Sequence, residues 1–325
     1  MPIPERRTKI VATIGPSSND EETLAALVDA GMDGVRLNFS HGTHDEHELT
    51  ARRARAVQAE VGRPLALIAD LQGPKIRIGD LDAPASLVVG ESIVIAGQDA
   101  CGVDDLPVAP DVLGSVLEAG DEVLIDDGHV RLRVERVDGS RAHCEVITGG
   151  IVEPHKGVNV PGVPLPVPSL TEKDLADLEF ALSLGVDYVA QSFVRTHTDV
   201  AALKSRIEAA GSPAWVIAKI ELKEAVTQLE AILDVTDAVM IARGDLGVEI
   251  GAAEVPLLQK KIIVEALERG KPAITATQML ETMIHRPEPT ASPPRSRRGW
   301  RWPRPRLRRA SAPAGGSSSR ASASP

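Results

Sequence analysis

Two short runs carry the residues best suited to chemistry. Lys219 and Glu221 close the apolar run WVIA, and Arg243, Gly244 and Asp245 follow AVMI. In a parallel α/β sheet the carboxyl ends of the strands open on one side, where reacting groups collect. Glu221 and Asp245 would there offer two carboxylates to one hard divalent cation, with the Lys219 ammonium beside them. Magnesium commonly takes one or two protein carboxylates and fills its shell with phosphate oxygens and water. The combination points to phosphoryl transfer, which relies on positioning and electrostatic stabilisation. Neither run is informative alone, since Lys-x-Glu also fits a solvated strand end and Arg-Gly-Asp a turn.

The elements that must hold these groups alternate apolar, β-branched runs with amphipathic stretches. Residues 8–14, 34–39, 65–71, 187–193, 215–220, 238–242 and 272–276 read as strands. Ser18 with Glu21, Thr43 with Glu46 and Thr171 with Asp174 each fit a capping box at a helix start. A weak repeat, AGMDGVRL (30–37), LGVDYVAQ (184–191) and DVTDAVMI (234–241), places Asp before a β run three times. Successive βα units read this way favour a (β/α) barrel over a sandwich. Residues 74–168 break the pattern with short alternating runs and the turn pairs Asp127-Gly128 and Asp138-Gly139. They read as a small all-β domain inserted after the third strand, with VPGVPLPVPS (160–169) as the return and a lid as one role.

Composition narrows the class. The chain has 325 residues, 43% of them hydrophobic, and no apolar run near the roughly 18 residues that span a bilayer. The beginning, MPIPERRTKIVATIG, lacks a secretory signal core. Only Cys101 and Cys144 are present, so a reducing cytoplasm is the default and a disulfide framework is not expected. Aromatics are 2% of the chain, too few for base-stacking platforms, so nucleic acid is not an expected partner of the body. The net charge of −10 conceals nine Arg and no acidic residue after position 290, which leaves −19 on residues 1–290. That tail of Arg, Pro, Ser, Ala and Gly reads as disordered. It is either a frameshifted stretch of GC-rich coding sequence or a natural segment that binds polyanions.

The residues resemble pyruvate kinase from about Arg7 to Thr290. Nine motifs in order carry the likeness: TKIVATIGPSS (8–18), GVRLNFSHGTH (34–44), DLQGPKIR (70–77), DDG (126–128), KGVNVPG (156–162), SFVR (192–195), AKIE (218–221), ARGDLGVE (242–249) and ATQMLETM (276–283). The resemblance implies a TIM-type (β/α)8 barrel with an inserted β-barrel domain. Its parts would be residues 1–72, 73–168 and 169–290, with 291–325 as tail. It implies transfer of the phosphoryl group of phosphoenolpyruvate to ADP, giving pyruvate and ATP in glycolysis. Lys219 and Arg36 would act on the phosphoryl group, the guanidinium suiting paired bonds to phosphate oxygens. Gly244 and Asp245 would receive the substrate carboxylate, where a helix starting near Asp245 aims free N–H groups. Glu221 and Asp245 would hold magnesium or manganese, and Thr277 would stand beside the enolpyruvate carbon. Asn38, His41, Arg77 and Lys156 would meet the nucleotide.

Positions matching Asn38, Ser40, Asp70 and the Leu71 backbone surround a monovalent cation in this family. Its potassium-dependent members usually carry Glu where this chain has Lys75, so a fixed ammonium is expected to make potassium dispensable. His41, His44 and His47 recur every third residue, but the segment reads as a capped helix start rather than a zinc site. Past Thr290 the family's eighth strand and C-terminal regulatory domain find no counterpart in the sequence given. The barrel is therefore expected to lack its last unit, which exposes two strand edges and puts the family's homotetramer in doubt. Two other readings stay open: a magnesium-dependent aldolase or lyase on a related barrel, and a non-catalytic fragment whose tail binds polyanions.

Overall fold

The computed structural model describes residues 8–276; Thr277 and the basic tail lie outside them. The chain opens with β1 (Val11–Thr13), α1 (Glu21–Ala30), β2 (Gly34–Asn38), α2 (His44–Val61) and β3 (Ala66–Asp70). Nine short strands follow: β4 (Ile76–Ile78), β5 (Ala85–Leu87), β6 (Ser92–Gly97), β7 (Leu106–Ala109), β8 (Glu122–Ile125), β9 (Val130–Asp138), β10 (Arg141–Thr148), β11 (Gly150–Val152) and β12 (Gly157–Asn159). The alternation then resumes through α3 (Glu172–Ser183), β13 (Tyr188–Gln191), α4 (His197–Ala209) and β14 (Trp215–Ile220). It ends with α5 (Lys223–Thr227), α6 (Leu229–Val235), β15 (Ala238–Ala242), α7 (Arg243–Ile250), α8 (Val255–Glu268) and β16 (Ala273–Ala276).

Strands β1, β2, β3, β13, β14, β15 and β16 lie side by side in that order as one parallel sheet. All seven fall within the runs read as strands. Among the described residues β1 and β16 are the edges, so the sheet is open and the closed (β/α) barrel is seen only in part. Every second residue faces the same way along a strand. On the outer face Val35, Leu67, Val189, Val216 and Val239 pack with Leu24, Ala54, Leu203 and Ile262 of the helices. On the other face Ile68, Ala190, Ile217 and Met240 meet in a smaller cluster. Burying one such side chain contributes about 1.5–3 kcal/mol, and the parity it fixes carries the polar residues with it. Asp70 stands two residues after Ile68 and Lys219 two after Ile217, hence on the face opposite the helices.

The weak repeat has a structural cause. Asp33 Oδ2 accepts from Ile10 N at 2.9 Å, Asp187 Oδ2 from Leu67 N at 2.7 Å, and Asp237 Oδ2 from Val216 N at 2.8 Å. Each aspartate precedes a strand and satisfies the free N–H at the start of its neighbour, a donor that would otherwise lack a partner. Two of the three expected capping boxes are present, Thr43 with Glu46 and Thr171 with Asp174. The third expectation is corrected: Asp20, not Ser18, caps α1 through Thr23 N. Ser18 closes a turn on Gly15 instead.

Between β3 and α3, seven strands close into a separate barrel in the order β10, β6, β7, β4, β12, β8, β9, and β5 pairs with β11 beside it. Its core includes Ile78, Ile125, Leu132 and Val146. Cys144 is buried there and its thiol is pushed up to about 12 by burial, so it stays protonated. The connections to the parallel sheet are anchored. Gly73 N donates to the buried carboxylate of Asp174 at 2.9 Å. Arg195 donates to the carbonyls of Leu165 and Val167, both at 2.8 Å.

Candidate active site

Adjacent strand ends bring the chemistry together. Lys219 Nζ lies 2.9 Å from Glu221 Oε1, 3.1 Å from Asp70 Oδ1 and 2.6 Å from Ser192 Oγ. An ammonium has three hydrogens, and all three are directed. Arg36 closes the other side, donating from Nε to Asp70 Oδ2 at 2.6 Å and from Nη1 to Thr13 Oγ1 at 2.9 Å. Asp70 and Glu221 are each 1% exposed. Glu221 Oε2 accepts from Phe193 N at 2.7 Å.

Charge in this setting is held by compensation. Burial alone would push the Lys219 ammonium down, but the carboxylates of Glu221 and Asp70 outweigh it and hold it above the usual lysine range. The group is thus cationic at neutral pH. Burial pushes the Glu221 carboxyl up; Lys219 opposes this and the charge of Asp245 adds to it. A buried carboxyl raised by a neighbouring carboxylate marks a place where a cation is favoured.

Asp245 stands near enough to raise the Glu221 carboxyl, whereas His41, Arg77 and Lys156 bond to other residues. Helix α7 begins at Arg243, two residues before Asp245, and its N-cap residue, Ala242, makes no side-chain cap bond. Gly244 and Asp245 therefore occupy its first turn. Lys75 Nζ sits 3.6 Å from Asp245 Oδ1. Among the described residues the ion pairs of Asp70 are with Arg36 and Lys219, while that of Lys75 is with Asp245. Asn38 Oδ1 accepts from Ser40 N at 3.3 Å, forming the turn after β2, and Ser192 Oγ donates to the Leu71 carbonyl at 2.6 Å. His41 is exposed in that turn, its carbonyl 3.0 Å from His47 Nε2. His44 stacks on Phe180 and pairs with Asp177 at 2.8 Å.

Arg77 and Lys156 lie in the β-barrel unit and are brought close by the pairing of Arg77 with Gly157 across β4 and β12. Arg77 donates to the His155 carbonyl at 3.0 Å, and Lys156 pairs with Asp126 at 3.2 Å and Glu153 at 3.3 Å. The Asp126 carboxylate holds the Lys156 ammonium above its ordinary value. Thr277 lies outside the described residues.

Thr13 and Ser192 were not singled out by sequence reasoning. Both stand at strand ends, and the rule that selected Lys219 at the end of β14 would have found Ser192 at the end of β13. Nothing in the sequence says which of many strand-end hydroxyls meets a charged partner.

Residues 5–294 match the family described as pyruvate kinase, barrel domain. The chain is 45% identical over 295 residues to pyruvate kinase 2 of Synechocystis, covering 89% of this chain and 50% of that protein. It is 46% identical to the pyruvate kinases of Mycobacterium intracellulare, over 287 residues, and Corynebacterium glutamicum, over 288. Each of those matches covers 88% of this chain and 61% of the relative. The chain thus spans about half to three-fifths of the length of these curated relatives. A match of this extent, over the same strands that carry the buried lysine and its carboxylates, identifies the chain as a member of the pyruvate kinase family.

Proposed function

We propose that this protein transfers the phosphoryl group of phosphoenolpyruvate to ADP, yielding ATP and pyruvate in glycolysis. The reading is carried by the Lys219 ammonium, buried against Glu221 and Asp70 where adjacent parallel strands end. A preorganised ammonium and guanidinium offset the charge that develops on a transferring phosphoryl group, without reorganisation cost at the moment of reaction. Arg36 and Lys219 would clamp that group. The first turn of α7 at Gly244 and Asp245 suits the substrate carboxylate. Arg77 and Lys156 would reach the nucleotide from the β-barrel unit, and Asn38 and His41 from the turn after β2. An aldolase or lyase would have no use for those two cations.

The donor set fits magnesium or manganese. Glu221 and Asp245 are hard oxygen donors close enough for one to raise the other's proton affinity. Among the described residues no cluster of three or more acidic, histidine or cysteine groups could hold a metal. Two carboxylates plus substrate oxygens and water is a shell magnesium accepts. When bound it would supply positive charge at the phosphoryl oxygens. Lys75 is proposed to take the electrostatic part of the monovalent cation that Asn38, Ser40, Asp70 and Leu71 would otherwise surround. Its pairing with Asp245 keeps that ammonium at the site's margin. Thr277 keeps the role of relaying a proton to the enolpyruvate carbon.

The open seven-stranded sheet is proposed to be the greater part of a TIM-type barrel, with residues 73–168 as its inserted domain. The cytoplasm is the proposed compartment; among the described residues no helix is long and apolar enough to cross a membrane. The test is ATP formation from phosphoenolpyruvate and ADP by the full chain with magnesium, with and without potassium. Turnover indifferent to potassium supports both the reaction and Lys75 as cation substitute. Turnover only with potassium retains the reaction and removes that role for Lys75. Folded protein without turnover overturns the activity.

A further inference from the structure

The dipeptide Ser192-Phe193 has no role in the function proposed above, yet it contacts most of the charged centre. Ser192 is 2% exposed and makes two short hydrogen bonds. Its one proton goes to the Leu71 carbonyl at 2.6 Å, and its oxygen accepts from Lys219 Nζ at 2.6 Å. Asp70 Oδ1, at 3.4 Å, lies at the limit of reach. Turning this hydroxyl away would cost the Leu71 carbonyl its 2.6 Å donor.

The next residue is held in a conformation that its type disfavours. Phe193 has φ of 53°, in the left-handed region, which a bulky side chain enters only when the surroundings over-determine it. This turn aims the Phe193 N–H at Glu221 Oε2, 2.7 Å away. The same turn is locked from below: a Cβ on Gly73 would stand 2.8 Å from Phe193 Cδ2 and 3.2 Å from the Ser192 carbonyl. Gly73 is itself tied to α3 through Asp174. One strained turn thus fixes the ammonium by a side chain and the carboxylate by the backbone.

We infer that Ser192-Phe193 is a positioning device that sets the Lys219 ammonium and the Glu221 carboxylate relative to one another before any ligand binds. The consequence for catalysis rests on the kinase reading; the positioning itself does not. Lys219 has three bonds in this state, and Ser192 supplies the neutral one. That bond fixes the direction of Nζ without neutralising its charge.

The experiment is the crystal structure of Ser192→Ala in the full chain, together with turnover of phosphoenolpyruvate and ADP. Ser192→Thr, which keeps the hydroxyl, is the rescue. The expected result is a shift of Lys219 Nζ by about 1 Å or more, a displacement that costs on the order of 100-fold when it misplaces a reacting group. With turnover, kcat should fall roughly 10- to 100-fold while KM for phosphoenolpyruvate changes less than about 3-fold, and Ser192→Thr should recover most of kcat. An unmoved Nζ in Ser192→Ala overturns the inference, as does an unchanged kcat in an active protein. If wild type does not turn over but Nζ moves in the variant, the kinase reading fails and the positioning role stands.

Discussion

Replacing Lys219 with Met deletes the charge at the centre while keeping a long apolar stem. Three bonds vanish, to Ser192 at 2.6 Å, Glu221 at 2.9 Å and Asp70 at 3.1 Å. Asp70 retains Arg36 at 2.6 Å, whereas Glu221 keeps the Phe193 N–H and still faces Asp245. Removing one partner of a buried pair costs roughly 3–5 kcal/mol, because the other charge is left without compensation. That cost should concentrate on Glu221, which can escape it by taking up a proton. Its folded-state carboxyl is already raised above the ordinary value of 4.5, and losing Lys219 raises it further. A carboxyl raised in the folded state contributes stability below its unfolded value and loses it as pH rises through the folded one. Lys219→Met should therefore be destabilised by roughly 3–5 kcal/mol near pH 8 and distinctly less near pH 5. Urea unfolding of both proteins at the two pH values measures this. A deficit under about 1 kcal/mol near pH 8, or one equal at both pH values, would refute the coupled buried pair.

Three further outcomes are expected. Gly73→Ala places a Cβ at φ of 73° against Phe193 and Ser192; it should cost about 2–4 kcal/mol in urea unfolding and lower kcat. Glu249 lies between the two units, its carboxyl pushed up to about 7 by burial and then by Glu224. Raised above 4.5, it removes stability as pH climbs toward 8, so Glu249→Gln should flatten that slope and gain on the order of 2–3 kcal/mol near pH 8. Wild type and variant with parallel stability–pH curves would refute that. Lys156→Ala gives up only partly exposed pairs with Asp126 and Glu153. It should leave the urea midpoint unchanged while raising KM for ADP roughly tenfold, as steady-state kinetics would show.

The seven strands of the sheet were legible because each is an apolar run of fixed length between turn and helix signals, and burial on one or both faces enforces that pattern. The β unit was legible for the converse reason, since its alternating runs with Asp-Gly turns contain no helical period. Helix caps were legible where the box residues had no competitor. Ser18 had one, as Asp20 stands nearer the first apolar turn and a carboxylate is a strong acceptor for Thr23 N.

What the sequence determined by itself was the seven strands of the sheet, the β unit between the third and fourth of them, and the placement of Lys219, Glu221 and Asp245 at or just past strand ends, because these follow from local periodicity. What the tertiary structure decided was the partnerships. Asp70 lies 149 positions before Lys219 in the chain, and neither composition nor spacing says that their side chains share a buried hydrogen bond. The strained turn at Phe193, the pairing of Lys75 with Asp245 and the hydroxyl of Ser192 between Lys219 and Leu71 belong to the same class. Each depends on which strand lies beside which and at what register, a property of the assembled sheet that no local segment encodes.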